Sequence, residues 1–193
     1  VEALYVPLQI RENKEIKNIT RIGLHAEEIP NENFEKIVRN AIGLERARVF
    51  ARDIAGSDPE RMSPVNIVEY VKKTFAGSSN VNIKVIEDEK IIAEDYPLLA
   101  AVSRAANRVK RHKARVLRLK YVPSDLSRVT ETVILVGKGV TGVADMKISG
   151  KMAGMSRDKS GAAAVAGFIK ACSILKPPHL KVIGVLCLCR NSV

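Results

Sequence analysis

A strand–helix–strand pattern in the last third of this 193-residue sequence constrains the fold more than any other feature. Residues 132–136 and 181–189 are short, largely apolar runs, which are typical of strands buried in a parallel sheet. The run between them, 162–175, is apolar and alanine-rich and stops at a Pro-Pro pair, which predicts a buried helix. This order forms a βαβ unit, whose crossover should be right-handed. We therefore predict an α/β fold with a mixed, largely parallel sheet flanked by helices. Ligands of such sheets bind beyond the carboxyl ends of the strands, where the loop at 138–158 lies.

The whole sequence divides into three parts. Residues 1–30 read as the tail of a preceding domain. Residues 31–56 place apolar side chains at three- and four-residue spacings, which predicts a linker helix. In the third part, 57–193, Ser63 as a helix cap and Pro64 at the first helical position predict a second helix. The remaining predicted elements are strands at 21–25, 81–85, 115–121 and 131–137 and a small-residue helix at 98–109.

The formal net charge of +11 raises the question of nucleic-acid binding. The densest basic stretch, Arg108 to Lys120, holds seven lysines and arginines and no acid. Aromatic residues make up only 4% of the chain, so stacking platforms for single strands are missing. We find no recognition-helix, zinc-finger or RRM pattern. The basic stretch therefore favours a solvated face or a rim that meets a partner subunit, with nonspecific attraction for anions.

The cysteines and the apolar runs indicate the compartment. Cys172, Cys187 and Cys189 are too few for a disulfide framework and lack the spacing of a zinc site, which predicts reduced core thiols. Cys187 and Cys189 would share one face of a strand. No run of about 18 apolar residues is present, and the first residues show no secretory signal. We therefore expect a cytoplasmic chain that does not cross a membrane.

The glycine-rich loop at 137–161 allows two kinds of chemistry. A phosphate loop requires glycine, four residues and then Gly-Lys-Ser or Gly-Lys-Thr. Thr132 stands where the first glycine should be, and Gly139 follows the lysine, so nucleotide binding is disfavoured. A metal site fits better, because Lys138 at a strand end and Asp158 before a helix can meet at one point. A neutral lysine amine and a hard carboxylate oxygen would both be ligands.

Two simpler interpretations of these residues stay open at this stage. Asp158 could cap the helix that follows it. Lys138 and Lys147 could be solvated loop residues.

Four segments of the sequence resemble the leucyl (cytosol) aminopeptidase family of metallopeptidases. They are Val136 to Thr141 (VGKGVT), Ala144 to Lys147 (ADMK), Met152 to Ala163 (MAGMSRDKSGAA) and, upstream, Glu60 to Pro64 (ERMSP). The segment MAGMSRDK is similar to sequences of the probable-aminopeptidase branch found in animals. The resemblance covers roughly residues 35 to 193, and its motifs are specific.

The resemblance implies a metallo-exopeptidase that removes N-terminal residues from peptides. Lys138 and Asp158 match ligands of one of two divalent cations, zinc or manganese, which bind the free amine and activate a hydroxide. Lys147 matches the catalytic lysine that polarises the scissile carbonyl and stabilises the oxyanion. Met155 matches a residue of the pocket for the N-terminal side chain. The family further implies a homo-oligomer, typically a hexamer, and makes residues 1–30 the tail of an N-terminal α/β domain and 57–193 the first part of the catalytic domain.

The sequence departs from the family pattern in two places. Gly142 follows Thr141 directly, so the aspartate that bridges both metals in the family is absent. The family's N-T-D-A-E-G-R motif, which supplies further carboxylates, does not occur in these 193 residues. We therefore expect this chain to be inactive alone. The alternative hypothesis is a catalytically dead homologue that acts as a structural or assembly subunit, and a basic nucleic-acid-binding module is the third.

Overall fold

The computed structural model describes residues 5–13, 23, 31–142 and 154–191. The strand predicted at 21–25, apart from Gly23, and the predicted catalytic Lys147 lie outside the described residues. The helices are α1 (Leu8–Asn13), α2 (Asn31–Gly56), α3 (Pro64–Thr74), α4 (Glu89–Asp95), α5 (Pro97–Ser103) and α6 (Ser160–Leu175), and the strands are β1 (Val81–Ile86), β2 (Arg115–Tyr121), β3 (Glu131–Val140) and β4 (Leu180–Cys189). Short 3₁₀ turns occupy Ala106–Arg108, Lys110–His112, Leu126–Arg128 and Met155–Arg157.

The four described strands form one mixed sheet in the order β1-β2-β4-β3. The predicted α/β class, with a mixed sheet flanked by helices, is confirmed. Its parallel part is the β3–β4 pair, whereas β1–β2 and β2–β4 are antiparallel, so the described strands do not form the largely parallel sheet that we predicted. The reason is connectivity, because a parallel pair needs a crossover element, and α6 supplies one between β3 and β4.

A large apolar core fills one face of the sheet, beneath α2, α3 and α6. Helix α6 lies between the sheet and α2, and Gly167 lets the two helices approach, since a Cβ there would stand 3.0 Å from the Cβ of Ala51. A smaller core covers part of the opposite face under α4 and α5. Its fully enclosed residues are Ile86, Ile92, Ala114, Val116 and Cys189. Cys172 and Cys189 are core thiols as predicted, and burial raises the pKa of each to about 11. Cys187 is only partly buried, so the prediction is wrong for it.

The exposed part of the sheet lies at β3. The burial predicted for 181–189 is confirmed, because β4 is an interior strand with β2 and β3 on either side. Among the described strands β3 is an edge, and its side chains Ile134 and Val136 are 66% and 71% exposed. The burial predicted for 132–136 is therefore wrong at these two side chains, because the small core under α4 and α5 does not extend to them.

The predicted single helix at 98–109 is also wrong in extent. Helix α5 ends at Ser103, and two 3₁₀ turns follow. The side chain of Asn107 accepts a hydrogen bond from the backbone N–H of Ala114 at 2.9 Å. Such local side-chain bonds compete with continued helix.

Three of the seven basic residues in the stretch Arg108 to Lys120 form ion pairs with acids of the same chain. Arg111 contacts Glu60, and Lys113 lies 2.7 Å from Glu89. These ion pairs support the interpretation of a solvated face. Of the described helices, none combines the length and the apolar character needed to cross a bilayer.

Ser63 provides the first testable prediction. It stands at the N-cap position of α3, as predicted, but its side chain makes no cap hydrogen bond. Its Oγ is buried without a partner among the described residues. A serine cap usually contributes about 1 kcal/mol, so we expect Ser63→Ala to change the free energy of unfolding by less than about 0.5 kcal/mol. A urea titration that shows a loss near 1 kcal/mol would contradict this geometry.

Candidate functional site

The end of β3 and the start of α6 bring Lys138 and Asp158 together. The Lys138 Nζ donates a hydrogen bond to the Asp158 Oδ2, and the two form an ion pair. The Lys138 side chain is 62% exposed and that of Asp158 is 30% exposed. The two residues are 20 positions apart in sequence, so only the predicted fold brings them into contact.

Asp158 does not cap the helix. The residue at the N-cap of α6 is Lys159, whose side chain makes no cap hydrogen bond. The Asp158 carboxylate instead faces β3, while its backbone N–H bonds to the carbonyl of Met155 at 3.1 Å. The simpler interpretation of Asp158 as a helix cap is therefore wrong.

Two glycines allow the strand and the helix to meet at their backbones. A Cβ at Gly161 would lie 3.1 Å from the backbone nitrogen of Lys138. A Cβ at Gly137 would lie 2.6 Å from the Cα of Ala162 and 2.7 Å from the carbonyl oxygen of Gly161. No side chain fits between these segments, which holds Lys138 beside the turn that carries Asp158.

Met155 lies in the 3₁₀ turn just before Asp158 and is half-buried. The chain leaving β3 passes against it, since a Cβ at Gly142 would stand 2.6 Å from the Met155 carbonyl oxygen. The preceding Thr141 is fully buried and donates its backbone N–H to the carbonyl of Cys189 at 2.8 Å. Lys138, Asp158 and Met155 thus share one end of the sheet, and the position of Lys147 stays a prediction.

An apolar groove of about 640 Å³ opens on the other face of this sheet end, and Lys138 lines it. Its remaining walls come from α4, α5 and the ends of β3 and β4, including Tyr96, Leu99, Val136 and Cys187. The two strand cysteines share this face, as their spacing predicts.

Sequence reasoning did not single out Lys159. The side chain is fully buried, and its Nζ donates to the carbonyl oxygen of Ser57 at 2.9 Å and to that of Ser156. Burial lowers the pKa of Lys159 to about 8, and the nearby Asp58 partly opposes that change. The sequence does carry one signal, a lysine just before the predicted helix at 162–175. The positive charge of a lysine at a helix N-terminus opposes the helix dipole, so such a lysine needs nearby acceptors.

The described residues lack a complete set of metal ligands. None of them forms a group of three or more histidine, cysteine, aspartate or glutamate side chains able to hold a metal ion. Lys138 and Asp158 offer one amine and one carboxylate, whereas hard divalent cations usually take several oxygen ligands. The donor types fit a divalent cation, but a stable site needs further carboxylates from elsewhere.

Comparisons with known proteins agree on one family. Residues 49–193 match the family model described as the catalytic domain of the cytosol aminopeptidase family. A Caenorhabditis elegans protein named "Putative aminopeptidase W07G4.4" is 41% identical over 197 residues, covering 98% of this chain and 36% of that protein. The cytosol aminopeptidase of Haemophilus influenzae is 33% identical over 160 residues, covering 81% of this chain and 31% of that enzyme.

A solved structure supports the same assignment. The bottromycin maturation enzyme BotP in complex with Mn is 29% identical and superposes with a TM-score of 0.68, covering 81% of this chain and 33% of that one. This chain therefore spans about a third of the length of the proteins it matches.

Proposed function

Because the chain belongs to the cytosol aminopeptidase family, we propose that it forms part of the catalytic domain of a metal-dependent enzyme that removes N-terminal residues from peptides. The resemblance predicted from the sequence is thereby confirmed at the level of the family. The contact between Lys138 and Asp158 at the end of the parallel strand pair carries the proposal. In this proposal residues 1–30 are the tail of an N-terminal α/β domain, 31–56 the linker helix and 57–193 the first part of the catalytic domain.

The proposed roles follow the family resemblance, and the contact between Lys138 and Asp158 supports them. Lys138, as the neutral amine, and Asp158 bind one divalent cation, zinc or manganese, and Met155 lines the pocket for the substrate's first side chain. When bound, the metal would supply Lewis-acid polarisation of the scissile carbonyl. Lys147 would stabilise the developing oxyanion. We further propose a cytoplasmic homo-oligomer, hexameric in the manner the resemblance implies.

A second candidate is a homologue that keeps the fold and lacks catalysis, acting as a structural or assembly subunit. The observation that favours it is the junction of Thr141 and Gly142, where the resemblance implies a bridging aspartate. The described residues also lack a group of three potential metal-binding acids, histidines or cysteines. A metal site with one carboxylate has low affinity, because ligand number and charge set it.

Manganese titration of the chain tests the proposed ligands. We expect weak binding, with a Kd of roughly 10⁻³ M. Asp158→Asn should weaken this binding by a factor of at least ~10. Lys138→Met separates two roles for the lysine. Loss of the amine weakens binding if Lys138 is a ligand, but strengthens binding if it is only a counter-ion that competes with the metal.

Asp125→Asn is the matched control, since Asp125 is an exposed aspartate that accepts hydrogen bonds from Ser127. Isothermal calorimetry or competition with a metal indicator gives the affinities. If the unchanged chain, Asp158→Asn and Asp125→Asn all bind manganese with equal affinity, the proposed site is wrong.

Activity separates the two candidate functions. We expect the chain to show no hydrolysis of leucine p-nitroanilide with added manganese, because the one carboxylate of Asp158 and the one amine of Lys138 do not complete a two-metal site. Inserting Phe-Asp-Ser between Thr141 and Gly142 restores one acid, and we expect it to raise the manganese affinity at least ~10-fold over a Phe-Asn-Ser insertion. Equal affinities would favour the structural subunit, whereas chelator-sensitive turnover by the unchanged chain would show that its metal site is already complete.

A further inference from the structure

The buried ammonium of Lys159 has no part in the ligand set proposed above. Its side chain is fully buried, although lysine is rarely enclosed without an acid partner. Its hydrogen bonds go to two backbone carbonyls, that of Ser57 at 2.9 Å and that of Ser156. Burying a charge is costly unless hydrogen bonds satisfy it, so an apolar side chain would be the default for packing alone.

The two acceptors belong to segments far apart in sequence. Ser156 lies in the 3₁₀ turn Met155–Arg157, one residue before the end of that turn. Ser57 follows the last residue of α2 and is itself buried. One ammonium group therefore bridges the connection between α2 and α3 to the turn that precedes Asp158, across 102 positions of sequence.

We propose that Lys159 is a positioning residue, whose ammonium ties the turn carrying Asp158 to the α2–α3 connection and so fixes the Asp158 carboxylate against Lys138. For the part that Asp158 plays toward a metal, this inference rests on the proposed function. Lys159 acts through the backbone of its own turn, because its Nζ bonds to carbonyls there and at Ser57. The linker helix α2 is thereby joined mechanically to the candidate metal site.

Hydrogen–deuterium exchange of the chain tests the tie without any metal. We expect Lys159→Met, which fills similar volume but cannot donate, to raise exchange at least several-fold at 154–158 and at 56–58. Protection in β2 and β4 should be unchanged. Lys159→Gln, whose amide can still donate to a carbonyl, should show exchange between that of the unchanged chain and that of Lys159→Met. It replaces Lys159→Met in the test if that variant does not fold.

Lys170→Met is the matched control. Lys170 lies on the same helix, and its Nζ also donates to a backbone carbonyl, that of Thr74, at 3.2 Å. This variant should leave exchange at 154–158 as in the unchanged chain. Wild-type exchange at 154–158 in Lys159→Met and Lys159→Gln would overturn the inference, as would equal effects of Lys159→Met and Lys170→Met on that turn.

Manganese affinity provides the second readout. We expect Lys159→Met to weaken binding ~10-fold, the usual effect of removing a group that orients a ligand, with partial recovery in Lys159→Gln and no change in Lys170→Met. If exchange changes as expected while Asp158→Asn leaves manganese binding unaffected, the tie stands and the proposed function fails. If Asp158→Asn weakens binding but Lys159→Met does not, the positioning role fails and the proposed function stands.

Discussion

Gly137→Ala is expected to lower the free energy of unfolding by about 3 kcal/mol, the upper end of the range for an overpacked site. Its new Cβ would lie 2.6 Å from the Cα of Ala162 and 2.7 Å from the carbonyl oxygen of Gly161. Both atoms are backbone at the start of α6, so no side-chain rotation can relieve the clash. Only a shift of the helix away from β3 can, and that shift separates Asp158 from Lys138.

Gly56→Ala is the matched control for this substitution. Gly56 ends α2, and a Cβ added there would meet no described neighbour within 4 Å. Its backbone does not adopt a positive φ. Replacing it should change stability by no more than about 0.5 kcal/mol, with stabilisation favoured because alanine restricts the unfolded chain. Urea denaturation measures both variants, and equal midpoints for Gly137→Ala and Gly56→Ala would contradict the close packing at the candidate site.

The sequence alone was sufficient to predict the strands and the long helix from residue 115 onward. Strand β2 has the predicted bounds of 115–121, and the predicted strand–helix–strand order gives the parallel pair of β3 and β4. Apolar runs bounded by proline and glycine mark such segments, which is why their positions are predictable. Their burial is less so, since Ile134 and Val136 of β3 are largely exposed. The contact between Lys138 and Asp158 follows from them, since it needs only a strand end and a helix start.

Features that depend on contacts between distant segments could not be predicted in this way. The interior place of β4 depends on its pairing with β2, which lies more than 50 residues upstream. The burial of Lys159 depends on a carbonyl 102 positions away. Neither leaves a periodic pattern in the sequence. The buried Asp53 of α2 is a third case, because its partners come from α1, α3 and the segment before α1.

Asp53 is the buried centre of a polar cluster that joins the N-terminal segment to α2 and α3. It is 1% exposed. Its carboxylate accepts hydrogen bonds from the Tyr70 hydroxyl at 2.6 Å, from the Tyr5 hydroxyl at 3.0 Å and from the Arg11 guanidinium. Burial and the Asp53 charge raise the pKa of Tyr5 to about 12, and the same causes raise that of Tyr70. Both tyrosines therefore stay protonated as donors at ordinary pH.

We expect Asp53→Ala to lower the free energy of unfolding by about 3–5 kcal/mol, since it leaves a partly buried guanidinium and two hydroxyls without their acceptor. Glu69→Ala is the matched control, because Glu69 on α3 forms an exposed pair with Lys72, and such pairs contribute at most ~1 kcal/mol. Urea denaturation gives both values. Trypsin should also cleave after Arg11 faster in Asp53→Ala, as the N-terminal segment loses its attachment.

The pH dependence provides an independent check on the same cluster. A tyrosine whose folded pKa is raised contributes stability that is complete below its unfolded pKa of about 10 and is lost as pH rises through the folded value. For Tyr5 that window runs from about 10 to about 12. We therefore expect the unchanged chain to lose stability across this window and Asp53→Ala to lose less, because the acid that raises the pKa is gone. Parallel curves for the two proteins, or a stability change in Asp53→Ala no larger than that in Glu69→Ala, would show that Asp53 does not hold these residues together.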